Sequence, residues 1–154
     1  MGRVFIFDID DTVIIHTRER NDYYNMDTKD NLRNLLETID YNKIYIYTNG
    51  TYGHGKNVIQ NLNIPVDGIF GRDTIPYMKP RQESFLFVKN IIDQQTNMND
   101  EFIFFDDLIE NLNTAKQVGW KTVWITPNFT QKPDFVDYAF PNIYQALMVL
   151  QLKK

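Results

Sequence analysis

The sequence predicts a doubly wound α/β sheet, and three observations carry that expectation. Short apolar runs rich in β-branched and aromatic residues recur at residues 4–7, 44–47, 102–105 and 122–125, with weaker ones at 68–70 and 137–140. These runs are continuous rather than alternating, which suits parallel strands covered on both faces. Segments with helical spacing lie between them, and regular strand–helix alternation places the helices as crossovers on a parallel sheet.

The helical segments follow in order. Residues 28–40 put Leu32, Leu35, Leu36 and Ile39 on one stripe, with Asp27 or Thr28 as N-cap. Residues 55–62 form a shorter, weaker segment. Residues 81–94 begin just after Pro80, which suits a first helical turn. Residues 108–118 carry Ile109, Leu112 and Ala115 and stop at Gly119, an expected C-cap. Residues 142–152 place Ile143, Ala146, Leu147 and Leu150 together. Residues 15–26 are polar and aromatic, with His16, Arg18, Arg20, Tyr23 and Tyr24, and read as a loop or short hairpin after the first strand. The chain shows no internal repeat, low-complexity tract or Gly/Ser linker, so residues 1–154 are expected to form a single domain.

Composition removes several functions. Hydrophobic residues make up 43%, enough for a core and too many for an intrinsically disordered chain. Sixteen basic against twenty acidic residues give a net charge of −4, which argues against strong nucleic-acid binding by phosphate neutralisation. With no cysteine there is no disulfide framework, thiolate nucleophile, zinc finger or iron–sulfur cluster. No apolar run reaches about 18 residues, so no membrane span is expected. The apolar run at 4–7 is too short for a secretory signal, and a cytoplasmic location is expected. Fifteen of the twenty acids are Asp, a residue that favours caps, turns and metal sites over helix interiors.

Asp8-Ile9-Asp10-Asp11-Thr12 follows the first strand, Thr48-Asn49-Gly50 the second strong one, and Asp106-Asp107 the third. Lys79-Pro80 stands at a predicted helix start. In a doubly wound sheet, ligands bind beyond the carboxyl ends of the strands. Two acidic clusters there repel each other unless a cation lies between them, and an all-oxygen set of this kind suits Mg²⁺. A hydroxyl, backbone N–H groups and a lysine supply what a phosphate dianion needs, so the parts describe a magnesium-assisted phosphoryl-transfer site. Each piece also has a bland interpretation. Acids after a strand cap helices, Thr-Asn-Gly makes ordinary turns, and a lone lysine is normally solvated. Their shared placement at strand ends favours the site. His16 and His54 read as surface histidines, and Trp120 and Trp124 as packing aromatics.

In this order the motifs resemble the haloacid dehalogenase superfamily of aspartate-nucleophile hydrolases. Phe7-Asp8-Ile9-Asp10-Asp11-Thr12-Val13 matches its first motif, Tyr47-Thr48-Asn49-Gly50 the second and Met78-Lys79-Pro80 the third. Phe105-Asp106-Asp107 with Asn111 matches the fourth. The resemblance runs from about Val4 to Leu150. It implies a Rossmann-like, three-layer α/β/α fold and a phosphatase working through an aspartyl-phosphate. Asp8 would be the nucleophile and Asp10 the general acid and base. Thr48, Asn49, Gly50 and Lys79 would hold the phosphoryl group. Mg²⁺ would be bound by the Asp8 carboxylate, the Asp10 backbone carbonyl and Asp106, with Thr12, Asp107 and Asn111 in support. An acid at position 10 favours phosphatase over ATPase or dehalogenase chemistry. Larger relatives insert a cap domain between motifs, but residues 13–47 number 35 and residues 51–78 number 28, too few for a domain of about 50 residues. A capless enzyme is therefore expected. Its substrate would be either a small nucleotide or sugar phosphate or a phosphate end on a macromolecule. Two non-enzymatic alternatives remain at this stage, a phospho-accepting receiver-type domain and a binding module on the same fold.

Overall fold

Strands form where the β-branched and aromatic runs stand. The computed structural model describes residues 2–14, 29–127 and 131–151. Within them lie β1 (Arg3–Phe7), β2 (Lys43–Tyr47), β3 (Gly68–Phe70), β4 (Glu101–Asp106), β5 (Lys121–Ile125) and β6 (Tyr138–Phe140). They make one sheet in the order β3-β2-β1-β4-β5-β6, and every pairing is parallel. The connecting helices are α1 (Lys29–Leu36), α2 (Tyr52–Leu62), α3 (Gln82–Asp93), α4 (Ile109–Gln117) and α5 (Ile143–Gln151).

Because successive strand residues point to opposite faces, each run feeds two cores. Phe5, Phe7, Ile44, Ile46, Ile103, Phe105, Val123 and Ile125 face one way and bury against α1, α2 and α5. Val4, Ile6, Tyr45, Tyr47, Phe102 and Phe104 face the other way, against α3, α4 and Trp120. This is the expected three-layer α/β/α arrangement, and it explains why the strands read as unbroken apolar runs. Among the described residues no helix is long and apolar enough to cross a membrane.

Helix limits differ from expectation for local reasons. α1 ends at Leu36 because the Thr38 hydroxyl and amide both bond to the Leu35 carbonyl, at 2.7 and 3.0 Å, closing the helix with a turn. Ile39 still reaches the core from that turn. α2 starts at Tyr52 rather than Gly55. The Thr51 side chain accepts from the His54 amide at 3.1 Å, and this cap outweighs two glycines in the first turn. α4 ends as expected, with Gly119 at φ 92° supplying the left-handed residue that follows the helix. Only α2 lies between β2 and β3, and only α3 between β3 and β4. The expected loop at residues 15–26, with His16, Arg18, Arg20, Tyr23 and Tyr24, and the Asp27 or Thr28 cap lie outside the described residues.

Phe85 is the anchor of α3. It is fully buried, and its ring lies 5.2 Å from Tyr47, 5.6 Å from Phe104 and 5.4 Å from Trp120. Phe85→Ala should cost about 3–5 kcal/mol, the usual range for a buried aromatic. Urea denaturation measures it, and a loss under about 1 kcal/mol would contradict this packing.

Candidate active site

The strand order reverses at β1. From there the chain proceeds outward through β2 and β3, then returns to the other side of β1 as β4. This switch point lies between β1 and β4, where Phe7 is in register with Phe105. Asp8 follows β1 and its amide donates to the Phe105 carbonyl at 3.0 Å, while Asp106 is the last residue of β4. The pairing of two apolar strands thus forces two carboxylates side by side. Both are buried, Asp8 at 8% exposure and Asp106 at 0%.

Lys79 reaches in from the loop before α3 to meet them. Its ammonium donates to Asp8 Oδ1 at 3.1 Å, Asp106 Oδ2 at 2.8 Å and the Tyr47 carbonyl at 2.8 Å. The Tyr47 and Phe104 rings lie 5.0 and 5.3 Å from the ammonium nitrogen. Burial opposes the charge on Lys79, but Asp106 and Asp8 outweigh it, so the lysine holds its proton above the ordinary range. Asp106 also accepts from the Leu108 amide at 2.9 Å and from Asn111 Nδ2 at 3.0 Å. Its orientation is therefore set by α4 as well as by Lys79.

The turn after β1 is wound around one carbonyl. The amides of Thr12, Val13 and Ile14 all point to Ile9 O, at 3.0–3.2 Å, and Asp11 takes a left-handed φ of 61°. The turn returns the Thr12 hydroxyl to Asp8 Oδ2 at 3.1 Å, and a longer contact of 3.4 Å reaches Asp107 Oδ1. Asp8, Asp106 and Asp107 each bring a carboxylate oxygen within 4.8 Å of the others. One lysine faces three carboxyl groups, more than its single charge can balance. The imbalance raises proton affinity. Burial, then the Asp106 charge against the opposing pull of Lys79, pushes the Asp8 carboxyl up to about 6. Burial followed by Asp106 and Asp8 pushes Asp107 up to about 8. A hard, all-oxygen donor set with surplus negative charge fits a magnesium ion.

Across the cleft, Thr48 and Gly50 close a tight loop in which the Gly50 amide donates to Thr48 Oγ1 at 2.9 Å. Asn49 does something different. Its side chain accepts from the Lys79 amide at 3.0 Å and donates to the Lys79 carbonyl at 3.0 Å, clamping the lysine's backbone to the end of β2. Thr114 of α4 donates to the Pro80 carbonyl at 2.7 Å and steadies the same segment from the far side. Between these walls is a cleft of about 250 Å³, with Asp8, Asp10 and Asp107 on one side, Thr48, Asn49 and Gly50 on the other, and Lys79 among its lining residues. All the residues expected at the site from sequence therefore line this cleft or bond to residues that do.

Two side chains were given lesser places by the sequence. Trp124 donates its ring N–H to the Asp107 carbonyl at 3.0 Å, tying β5 to the acidic turn. His54, read as a surface histidine, places Nε2 2.9 Å from Asp10 Oδ1. The signal that could have found it is Thr51, whose cap extends α2 back to the cleft.

Solved structures share this architecture. A haloacid dehalogenase-type phosphatase from Thermococcus onnurineus superposes with a TM-score of 0.68 at 18% identity, covering 96% of this chain and 97% of that one. The 3-deoxy-D-manno-octulosonate 8-phosphate phosphatase of Moraxella catarrhalis, solved with magnesium, phosphate and its sugar, gives 0.63 at 13% identity, covering 99% and 87%. An L-2-haloacid dehalogenase gives 0.58 at 19% identity over 78% of this chain, which spans about half, 53%, of that enzyme. No family model and no curated protein matches the sequence. The shared feature is the fold, and that fold hosts both phosphatases and dehalogenases.

The raised carboxyls make stability depend on pH. Asp8 and Asp107 bind protons more tightly folded than unfolded, so their contribution falls as pH rises from 3.8 towards about 8. A bound divalent cation favours the ionised forms and opposes that fall. In chelator, the melting temperature should drop by several degrees between about pH 5 and about pH 8. With millimolar Mg²⁺ the drop should shrink, so that stabilisation by the ion grows with pH. Scanning fluorimetry measures both, and a metal effect independent of pH would contradict the assignment.

Proposed function

We propose that this chain, which has the fold of the haloacid dehalogenase superfamily, is a Mg²⁺-dependent phosphomonoester hydrolase with Asp8 as nucleophile. The observation that carries this reading is the setting of Asp8. It is a buried carboxylate at the switch point, gripped by Lys79 and Thr12 and crowded by Asp106 and Asp107. A carboxylate so placed is oriented for attack, and Lys79 together with a bound ion would favour its ionised form. Asp8, Asp106 and the Asp10 carbonyl would hold the magnesium ion, supported by Asp107. The ion would supply charge stabilisation for the transferring phosphoryl group.

This chain's residues divide the remaining work. Asp8 Oδ attacks phosphorus as the ester bond breaks, and Asp10 gives its proton to the departing oxygen, so the alcohol leaves and an aspartyl-phosphate remains. Asp10, now ionised, takes a proton from water; the resulting hydroxide attacks phosphorus, releasing inorganic phosphate and restoring the Asp8 carboxylate. Thr48 with the Asn49 and Gly50 amides binds phosphoryl oxygens, for which the Gly50 amide exchanges its bond to Thr48 Oγ1. Lys79 neutralises charge on Asp8 and the transferring group. Asn111 keeps Asp106 aimed, and Thr12 keeps Asp8 aimed.

Asp10 separates this reading from its rivals. Its carboxyl lines the cleft, two residues beyond the nucleophile. A receiver-type domain needs no acid there, and dehalogenation releases halide, which needs no proton. The test is hydrolysis of an aryl phosphate, an alkyl phosphate and a 2-haloacid, with and without Mg²⁺. Both phosphates should be cleaved only with metal, and the haloacid not at all. Asp8→Asn should lower kcat/KM by at least about 10³-fold. Asp10→Asn should lower it by about 10²–10⁴-fold for the alkyl ester and far less for the aryl ester, whose leaving group needs little protonation. Phosphate release that survives exhaustive chelation, or equal losses on the two esters, would contradict these assignments.

A further inference from the structure

We infer that His54 is a positioning residue for the general acid. It holds the Asp10 carboxyl so that the proton sits on the oxygen facing the leaving group. The inference rests on the phosphatase reading above and concerns a residue outside the four motifs.

Three independent features place the ring there. First, the Thr51 cap accepts from the His54 amide at 3.1 Å, which fixes His54 in the first turn of α2. Helical side chains tilt towards the N-terminus, so one in the first turn leans past the helix end, here towards the Thr48–Gly50 loop and the cleft. Second, position 50 is a glycine. A Cβ there would lie 3.1 Å from His54 Cδ2 and 3.3 Å from Thr48 Oγ1, so the glycine lets the ring sit close where a side chain would require it to give by a few tenths of an ångström. Third, the left-handed Asp11 and the bridge between Asp10 and Ile14 hold Asp10 on the opposite wall, where its Oδ1 meets His54 Nε2 at 2.9 Å. Both side chains are partly exposed, at 26% for His54 and 39% for Asp10. Water would otherwise let the carboxyl swing among rotamers.

The bond suits both halves of the cycle. With Nε2 carrying the hydrogen, the ring donates to Oδ1 whether Asp10 is acid or carboxylate, because Oδ1 is an acceptor in each. The acid's proton is thereby confined to Oδ2, and that oxygen later receives the proton from water. The contribution of His54 is therefore orientation of the donor.

The experiment compares kcat/KM, which reports the phosphoryl-transfer step, for an alkyl and an aryl phosphate in wild type, His54→Ala, His54→Gln, Asp10→Asn and the Asp10→Asn/His54→Ala double variant. Melting temperatures and Mg²⁺ titrations accompany each. His54→Ala should lose about 10–30-fold on the alkyl ester and less than about threefold on the aryl ester. Its Mg²⁺ midpoint should be unchanged. His54→Gln, whose amide can donate from the same place, should recover to within about threefold of wild type. In the Asp10→Asn background, His54→Ala should cost almost nothing more, since the group it positions is gone. Equal losses on both esters, undiminished alkyl activity in His54→Ala, or full additivity in the double variant would overturn the inference and leave the phosphatase reading standing. A wild-type protein inactive on both esters would overturn both.

Discussion

Two carboxylates buried side by side, with one ammonium group between them, set the terms for everything else at the cleft. Asp8 and Asp106 are not near one another by choice of loop. They terminate adjacent strands whose apolar residues pair in register from Val4 opposite Phe102 to Phe7 opposite Phe105. Like charges at that distance, away from water, hold protons unless opposite charge is brought to them. Lys79 brings one charge and spends all three ammonium hydrogens on Asp8, Asp106 and the Tyr47 carbonyl. Removing Lys79 would leave both buried carboxylates uncompensated, at a cost of about 3–5 kcal/mol. The residual negative charge, concentrated where Asp107 joins the pair, makes a divalent cation fit.

From that constraint follows the construction of the surrounding loops. A lysine can serve two buried acids only if its backbone is held, and Asn49 and Thr114 hold the Lys79–Pro80 segment from two sides. The loop expected to bind phosphate and the loop that presents the lysine are thus one hydrogen-bonded unit. Trp124 extends the unit to β5 through the Asp107 carbonyl. The polar edge therefore has a supporting frame made almost wholly of side-chain-to-backbone bonds. That frame stands on two aromatic-rich cores, one on each side of the sheet.

The sequence was most legible where several residues act together. Six apolar runs located six strands, because a strand buried on both faces must be apolar throughout. The acidic, hydroxyl-bearing and basic residues of the cleft were visible because each immediately follows a strand or precedes a helix. Legibility failed at single contacts. Gly53 and Gly55 hid the first turn of α2, since propensity argues against a helix that the Thr51 cap nevertheless starts. With the turn went His54. Nothing in the spacing of a lone histidine at position 54 relates it to an aspartate 44 residues earlier. Asn49 was recognised as belonging to the site through its backbone N–H, but the grip of its side chain on the Lys79 backbone had no signal in the sequence.

By itself the sequence determined the doubly wound architecture, the edge of the sheet that carries polar groups, and the residues gathered there. Periodicity and strand-end placement are local properties and survive without coordinates. Tertiary structure decided which carboxylates share space, which oxygen of each is engaged, and that the turn after β1 meets the first turn of α2 through Asp10 and His54. Those outcomes depend on strand order and register. The reversal at β1 sets two distant segments of chain against each other, and the distances that govern proton affinity and charge exist only after the sheet has closed around it.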